Sequence, residues 1–266
     1  MIASLPMYDW PELRPATDAL WRALAAALSR RGISAPSGLD REGDRHAQWR
    51  DPALLLSQTC GYPFVTALKG WLRLVAVPIY TAEGCAGPSY RSVVLVRADD
   101  PARGLADLRG RIVAYNSVDS QSGYSAMRAL AAPLAREGRF FAAAVETGSH
   151  LASMEAVADA GADCAAIDCV CWAMAEHYRG DLASRLRVIA WSPPAPALPF
   201  VTSARRSELE IAQIRAAVLE TLADPATADV RRSLFLAGAE IPSDAAYDAI
   251  LAMEAKAVAA GYPALG

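Results

Sequence analysis

No stretch of this 266-residue chain is apolar for the length of a bilayer span, so no membrane-inserted helix is expected. Basic residues form no stripe. The arginines come in pairs suited to helix ends (Arg30-Arg31, Arg205-Arg206, Arg231-Arg232), and with a net charge of −3 a nucleic-acid surface is not expected. Cysteine is sparse and odd in number: Cys60, Cys85, Cys164, Cys169 and Cys171 cannot all pair, which fits a reducing compartment. Cys164, Cys169 and Cys171 lie in an apolar run and read as small buried hydrophobes. Cys169-Val170-Cys171 has the wrong spacing for a zinc knuckle and the three histidines are far apart, so neither a metal nor a cofactor is expected. A long all-polar linker is missing too, which disfavours independent domains on a string.

What is present is an alternation of strands and helices. A strand at Ile2–Met7 precedes a helix over Thr17–Arg31, with Leu20, Trp21, Leu24 and Leu28 at helical spacing. Strands follow at Leu54–Leu56, Leu72–Ile79, Ser92–Arg97, Ile112–Tyr115, Phe140–Val145, Ala165–Ile167 and Val188–Trp191. Helices are expected between them, and two or three more finish the chain, over about Ser207–Ala223, Ala226–Ala237 and Ser243–Ala259. This grammar predicts an α/β fold of two lobes, each a mostly parallel sheet flanked by helices. Residues 1–91 and 196–266 would form one lobe and 92–195 the other. The hinge crossings would lie near 92–97 and in the proline-rich 192–199 segment.

The most informative segment is Asn116-Ser117-Val118-Asp119-Ser120-Gln121-Ser122-Gly123-Tyr124, where a strand ends and a helix begins. A helix's first turn has unpaired N–H groups and the positive end of the macrodipole. Ser and Gln donors, with a Gly that admits a ligand close to the backbone, make this a seat for a tetrahedral oxyanion. Plain capping would need only Asp119 or Ser120.

Ligands of parallel α/β sheets bind outside the carboxyl ends of the strands. Gathering those ends gives Tyr8, Ser57, Gln58, Thr59 and Tyr62 from the first lobe, with Tyr90 near the hinge. The second lobe gives Asn116, Ser120, Gln121, Ser122, Gly123, His150 and Asp168. Together they would line a cleft between the lobes. Structural alternatives stand beside several of them. Tyr8 would equally pack a lobe edge, Ser57 or Thr59 would cap a helix, and Asp168 would cap the helix that follows it.

The ordered series Tyr90-Arg91-Ser92-Val93-Val94, Asp119-Ser120-Gln121-Ser122-Gly123-Tyr124, then Gly148-Ser149-His150-Leu151 and Ala162-Asp163-Cys164-Ala165-Ala166-Ile167-Asp168, resembles the phosphate/phosphite/phosphonate substrate-binding proteins of ABC transporters. The resemblance spans roughly residues 50 to 205. It implies a type 2 periplasmic-binding-protein fold and a solute-binding protein, not an enzyme, that closes two lobes on a phosphate- or phosphonate-type oxyanion. By this resemblance Ser120, Gln121, Ser122 and His150 would hold the anion, Tyr62 and Tyr90 would close over it, and Asp168 would meet the ligand's far end. Gln121 stands where the family usually has a hydroxyl residue. The implied partners are a small oxyanion and an ABC-transporter permease, with the chain itself a monomer. A cytoplasmic enzyme of menaquinone (futalosine-type) biosynthesis on the same fold is the alternative. Its candidate groups would be His150, Asp168 or Cys60, though no catalytic signature is present. The first eight residues lack a basic n-region, a long apolar run and a cleavage site, so the chain as given is expected in the cytoplasm, and in the periplasm if a leader precedes it.

Overall fold

The computed structural model describes residues 1–266, the side chain of Asp244 excepted. The chain forms two compact units. The first comprises Met1–Thr81, Ala86–Pro88 and Pro196–Ala246, the second Ala82–Cys85, Ser89–Ala195 and Tyr247–Gly266.

The first unit is built on a five-stranded sheet in the spatial order Ile2–Ala3, Leu54–Gln58, Phe200–Ser203, Leu72–Tyr80, Leu236–Glu240. Every residue of Leu54–Gln58 is buried, as a central strand of leucines requires. The helix Arg14–Ser29 starts with Pro15 in its first turn and buries Leu20, Trp21, Leu24, Ala27 and Leu28 along one stripe. It packs against the helix Glu208–Ala223. Ser207 and Glu210 cap that second helix reciprocally: Ser207 Oγ accepts from Glu210 N–H, and the Glu210 carboxylate accepts from Ser207 N–H.

The second unit's sheet runs Ala143–Glu146, Ile112–Tyr115, Cys164–Asp168, Ser92–Arg97, Leu186–Trp191. The first three strands are parallel; Ser92–Arg97 is antiparallel to both of its neighbours. Its core gathers Val94, Val96, Val113, Met127, Phe140, Phe141, Cys164, Tyr262 and Leu265.

Several expectations are corrected here. Both sheets are mixed rather than mostly parallel, because Phe200–Ser203, Leu236–Glu240 and Ser92–Arg97 run against their neighbours. Ser92–Arg97 forms the expected strand but is no hinge crossing: Val93, Val94, Leu95 and Val96 are fully buried at the sheet's interior. The chain passes between units in the 81–89 segment, between Ala195 and Pro196 within the proline-rich 192–199 segment expected to cross, and between Ala246 and Tyr247. The segment from Tyr247 was expected in the first lobe and belongs to the second unit, where Ala257, Tyr262 and Leu265 fill the core. Tyr90, likewise expected in the first lobe, lies in the second unit. The helix expected over Ala226–Ala237 stops after Ser233, Phe235 takes a positive φ of 55°, and Leu236–Glu240 joins the sheet beside Leu72–Tyr80.

Candidate functional site

The second unit holds a cluster of polar side chains at the carboxyl end of Ile112–Tyr115. The following turn is not an ordinary helix start: Gln121–Ser125 forms one wide π-helical turn that runs into the helix Ala126–Ala131. Ser125 N–H reaches back five residues to Ser120 C=O at 3.0 Å. Such turns widen a helix and recur at functional sites. Ser120 is the N-cap, its Oγ accepting from Gly123 N–H at 3.0 Å. Gly123 has a steric reason to be glycine, since a Cβ there would lie 2.0 Å from Asn116 Oδ1.

Ser122 carries the central contact. Its Oγ lies 2.7 Å from His150 Nε2. His150 opens the helix His150–Ala158, capped by Ser149 Oγ, which accepts from Ala152 N–H. The loop before that helix is stitched to the turn: Gly148 N–H donates to Asn116 C=O, while Thr147 Oγ1 bonds Tyr115 C=O and Ser153 Oγ. Gln121 is buried, with its Nε2 on Met253 Sδ at 3.3 Å. Asn116 Oδ1, Ser125 Oγ and His150 Nδ1 are shielded from solvent and have no protein partner.

The electrostatics of this cluster are those of neutral dipoles. Arg128, the cation on the adjoining helix, is committed to Glu254 at 3.0 Å, to Pro263 C=O at 2.8 Å and to the face of Tyr124. Loss of surrounding water pushes the His150 pKa down to about 4, so its ring is neutral at pH 7. A neutral His and a Ser bring one ring N–H and one O–H. Their mutual bond consumes one of these protons, which leaves the other to donate elsewhere. The cluster can therefore hydrogen-bond an oxyanion without a protein charge.

The depressed pKa has a consequence for stability. Between pH 6.5 and about 4 the unfolded chain takes up a proton at His150 that the folded chain does not. The contribution is therefore complete above pH 6.5 and is lost as pH falls towards 4. Melting temperatures measured across this range are expected to fall with pH, and to fall less steeply in His150→Asn. Parallel curves for the two proteins would contradict this assignment.

Asp168 ends its strand buried, and its Oδ1 accepts from Val170 N–H at 2.7 Å, which makes it the cap of the helix Cys169–Tyr178. Tyr90 is buried in the short strand Ser89–Tyr90.

In the first unit the strand-end residues are used internally. Ser57 is buried, bonded to Ser4 Oγ at 2.9 Å and to Trp49 Nε1 at 3.1 Å. Gln58 Nε2 donates to Tyr80 O–H and to Leu198 C=O, each at 3.0 Å. Tyr8 packs edge-on against Tyr80. Thr59 is buried, with its N–H on Pro199 C=O. Tyr62 is half-buried in the helix Gly61–Val65 and accepts from Thr66 Oγ1 through its carbonyl. Ser57→Ala would leave the buried Trp49 Nε1–H and the Ser4 hydroxyl without this partner, and urea unfolding is expected to show a loss of about 1–3 kcal/mol. An unchanged unfolding free energy would show that these internal bonds contribute nothing.

Sequence reasoning missed Thr147, Ser125 and Met253. Thr147 and Ser125 flank the polar turns it had singled out and carried signal enough. Nothing in the sequence pointed to Met253, since its helix was assigned to the other lobe. Among the described residues no helix is long and apolar enough to cross a membrane, and no three His, Cys, Asp or Glu side chains are gathered to hold a metal ion.

Over residues 54–247 the sequence matches the family described as ABC transporter, phosphonate, periplasmic substrate-binding protein. No curated relative matches it. Similar solved structures include a binding-protein component of an ABC phosphonate transporter from Pseudomonas aeruginosa, at 17% identity and a TM-score of 0.77, covering 97% of this chain and 87% of that one. PhnD1 from Prochlorococcus marinus, in complex with methylphosphonate, is 15% identical with a TM-score of 0.76, covering 96% of this chain and 97% of that one. XAC2383 from Xanthomonas citri, bound to ATP, is 16% identical with a TM-score of 0.72 and 97% coverage of both chains. At these identities the likeness establishes the fold, that of the type 2 periplasmic binding proteins.

Proposed function

This chain belongs to the periplasmic substrate-binding protein family of ABC phosphonate transporters, and we propose that the polar turn of its second unit binds the phosphorus oxyanion of a phosphonate or phosphate-type solute. The family is a substrate-binding component of a transporter rather than an enzyme, so the chain binds a small solute and hands it on unchanged.

One observation carries the oxyanion reading. The Ser122–His150 pair, at 2.7 Å, joins a π turn capped by Ser120 to the start of the helix His150–Ala158, and it retains one donor with no protein partner. A buried polar group without a partner costs about 1–3 kcal/mol, which a ligand that supplies the partner recovers. Ser120, Gln121, Ser122, Gly123, Asn116 and His150 form the binding set. Ser120 holds the turn's shape, and Gly123 permits close approach to the backbone. Two structural relatives hold phosphorus oxyanions, a methylphosphonate and a nucleoside triphosphate, which supports the ligand class. Asp168 serves this site by fixing the neighbouring strand end as a helix cap.

The test is isothermal titration of the phosphate-free protein with methylphosphonate, inorganic phosphate and ATP, set against a neutral hexose. A saturable 1:1 heat with at least one phosphorus oxyanion, none with the hexose, and recovery of the ligand intact are the expected results. Folded protein that binds none of the three would overturn the assignment.

A further inference from the structure

Four of the five cysteines lie in the second unit, and two of them face each other. Cys85 Sγ and Cys169 Sγ are 3.5 Å apart, although the residues are 84 positions apart in sequence. Cys85 ends the turn that begins at Ala82, its N–H donating to Ala82 C=O at 3.1 Å. Gly84 before it has φ +91°, and a Cβ there would lie 2.3 Å from the ring of Trp191, so the turn is laid flat on that indole. Cys169 opens the helix Cys169–Tyr178 and is held in turn, its N–H donating to Arg91 C=O at 3.0 Å. The backbone on both sides of the thiol pair is thus fixed. Cys85 is part-exposed and Cys169 buried.

We propose that Cys85 and Cys169 form a reversible disulfide that fastens the 82–88 segment, where the chain passes between units, to the start of the Cys169–Tyr178 helix. The sulfurs need to close by about 1.5 Å to reach bonding distance, a movement within the range of side-chain rotation. A family whose compartment is the periplasm meets oxidising conditions, where such a pair is driven to the disulfide. The odd cysteine count then has a reading of its own. One pair is poised to bond, Cys164 and Cys171 are buried, and Cys60 belongs to the first unit.

The oxidant is a small or protein disulfide. The part-exposed Cys85, as thiolate, attacks one of its sulfurs; the oxidant's S–S bond breaks and one thiolate leaves. The Cys169 thiol then gives its proton to water and attacks Cys85 Sγ in the mixed disulfide, which expels the second thiolate. Two electrons pass from the pair to the oxidant, which ends as two thiols carrying the two protons. The hydrogen bond to Cys85, and then burial, push the Cys169 thiol up from its ordinary range, which makes Cys85 the first to react.

The full chain is incubated with oxidised glutathione, alkylated in denaturant, digested without reduction and mapped by mass spectrometry. The expected product is a Cys85–Cys169 peptide pair lighter by two hydrogens, with Cys60, Cys164 and Cys171 alkylated. Closing an 84-residue loop is expected to raise the melting temperature by roughly 5–10 °C, reversed by dithiothreitol. Cys85→Ser, at a part-exposed position, is expected to keep the fold and to lose both the link and the shift. Recovery of Cys85 as a free thiol or as a stable glutathione adduct in folded protein, or a link from Cys169 to Cys171 instead, would overturn the proposal.

Discussion

Ser122→Ala is expected to reduce phosphonate affinity ten- to a hundredfold, about 1.5–3 kcal/mol, the range for a buried hydrogen bond to a charged group. The expectation rests on the 2.7 Å contact between Ser122 Oγ and His150 Nε2, which leaves one proton of the pair to donate. The two residues act as a unit, so a double-mutant cycle is the sharper form of the experiment. Ser122→Ala and His150→Ala should each remove most of the effect, and the double variant should cost little more than either alone. Strictly additive losses would mean that the residues meet the ligand independently. Ser120 separates itself from this pair by its readout. As the N-cap it accepts from Gly123 N–H, and Ser120→Ala is expected to cost about 0.5–2 kcal/mol of stability besides any loss of affinity.

The largest expected loss of stability lies far from the polar turn. Tyr262 is fully buried in the second unit's core beside Val113, Phe140, Phe141 and Cys164, and its O–H accepts from Gly266 N–H at 3.2 Å. Tyr262→Ala is expected to lower the unfolding free energy by about 3–5 kcal/mol, as truncating a buried aromatic does. Tyr262→Phe should lose only the hydroxyl's share, about 1 kcal/mol. Denaturant unfolding measures both. A Tyr262→Ala loss under about 1 kcal/mol would deny the C-terminal segment its place in that core.

These two positions mark what sequence reasoning reached and what it did not. Ser122 and His150 were legible because donors crowd a strand end and a helix start, where unpaired backbone N–H groups already gather. The strand Ser92–Arg97 was legible to the residue, for its aliphatic run stops at the Asp99-Asp100-Pro101 turn. Tyr262 was not legible, since the helix expected over Ser243–Ala259, observed over Asp248–Ala259, does not by its periodicity say which sheet it lies against. Leu236–Glu240, with the sequence Leu-Ala-Gly-Ala-Glu, has little intrinsic preference for a strand and becomes one by pairing with Leu72–Tyr80. The internal roles of Ser57 and Gln58 were hidden for a related reason. Their partners Ser4, Tyr80 and Leu198 are remote in sequence, and only folding brings them into hydrogen-bonding distance.

The return of residues 247–266 to the second unit has a practical consequence. Met1 lies in the first unit and Gly266 in the second, so the two ends of the chain ride on different bodies. Donor and acceptor fluorophores placed at those ends would report the spacing of the bodies directly, with every internal cysteine left untouched. The two attachment points are unequal: Met1 is half exposed, whereas Gly266 C=O accepts from Phe140 N–H at 3.1 Å. A dye or fusion at that end therefore needs a flexible spacer, so that the optical signal follows the bodies and not a strained anchor.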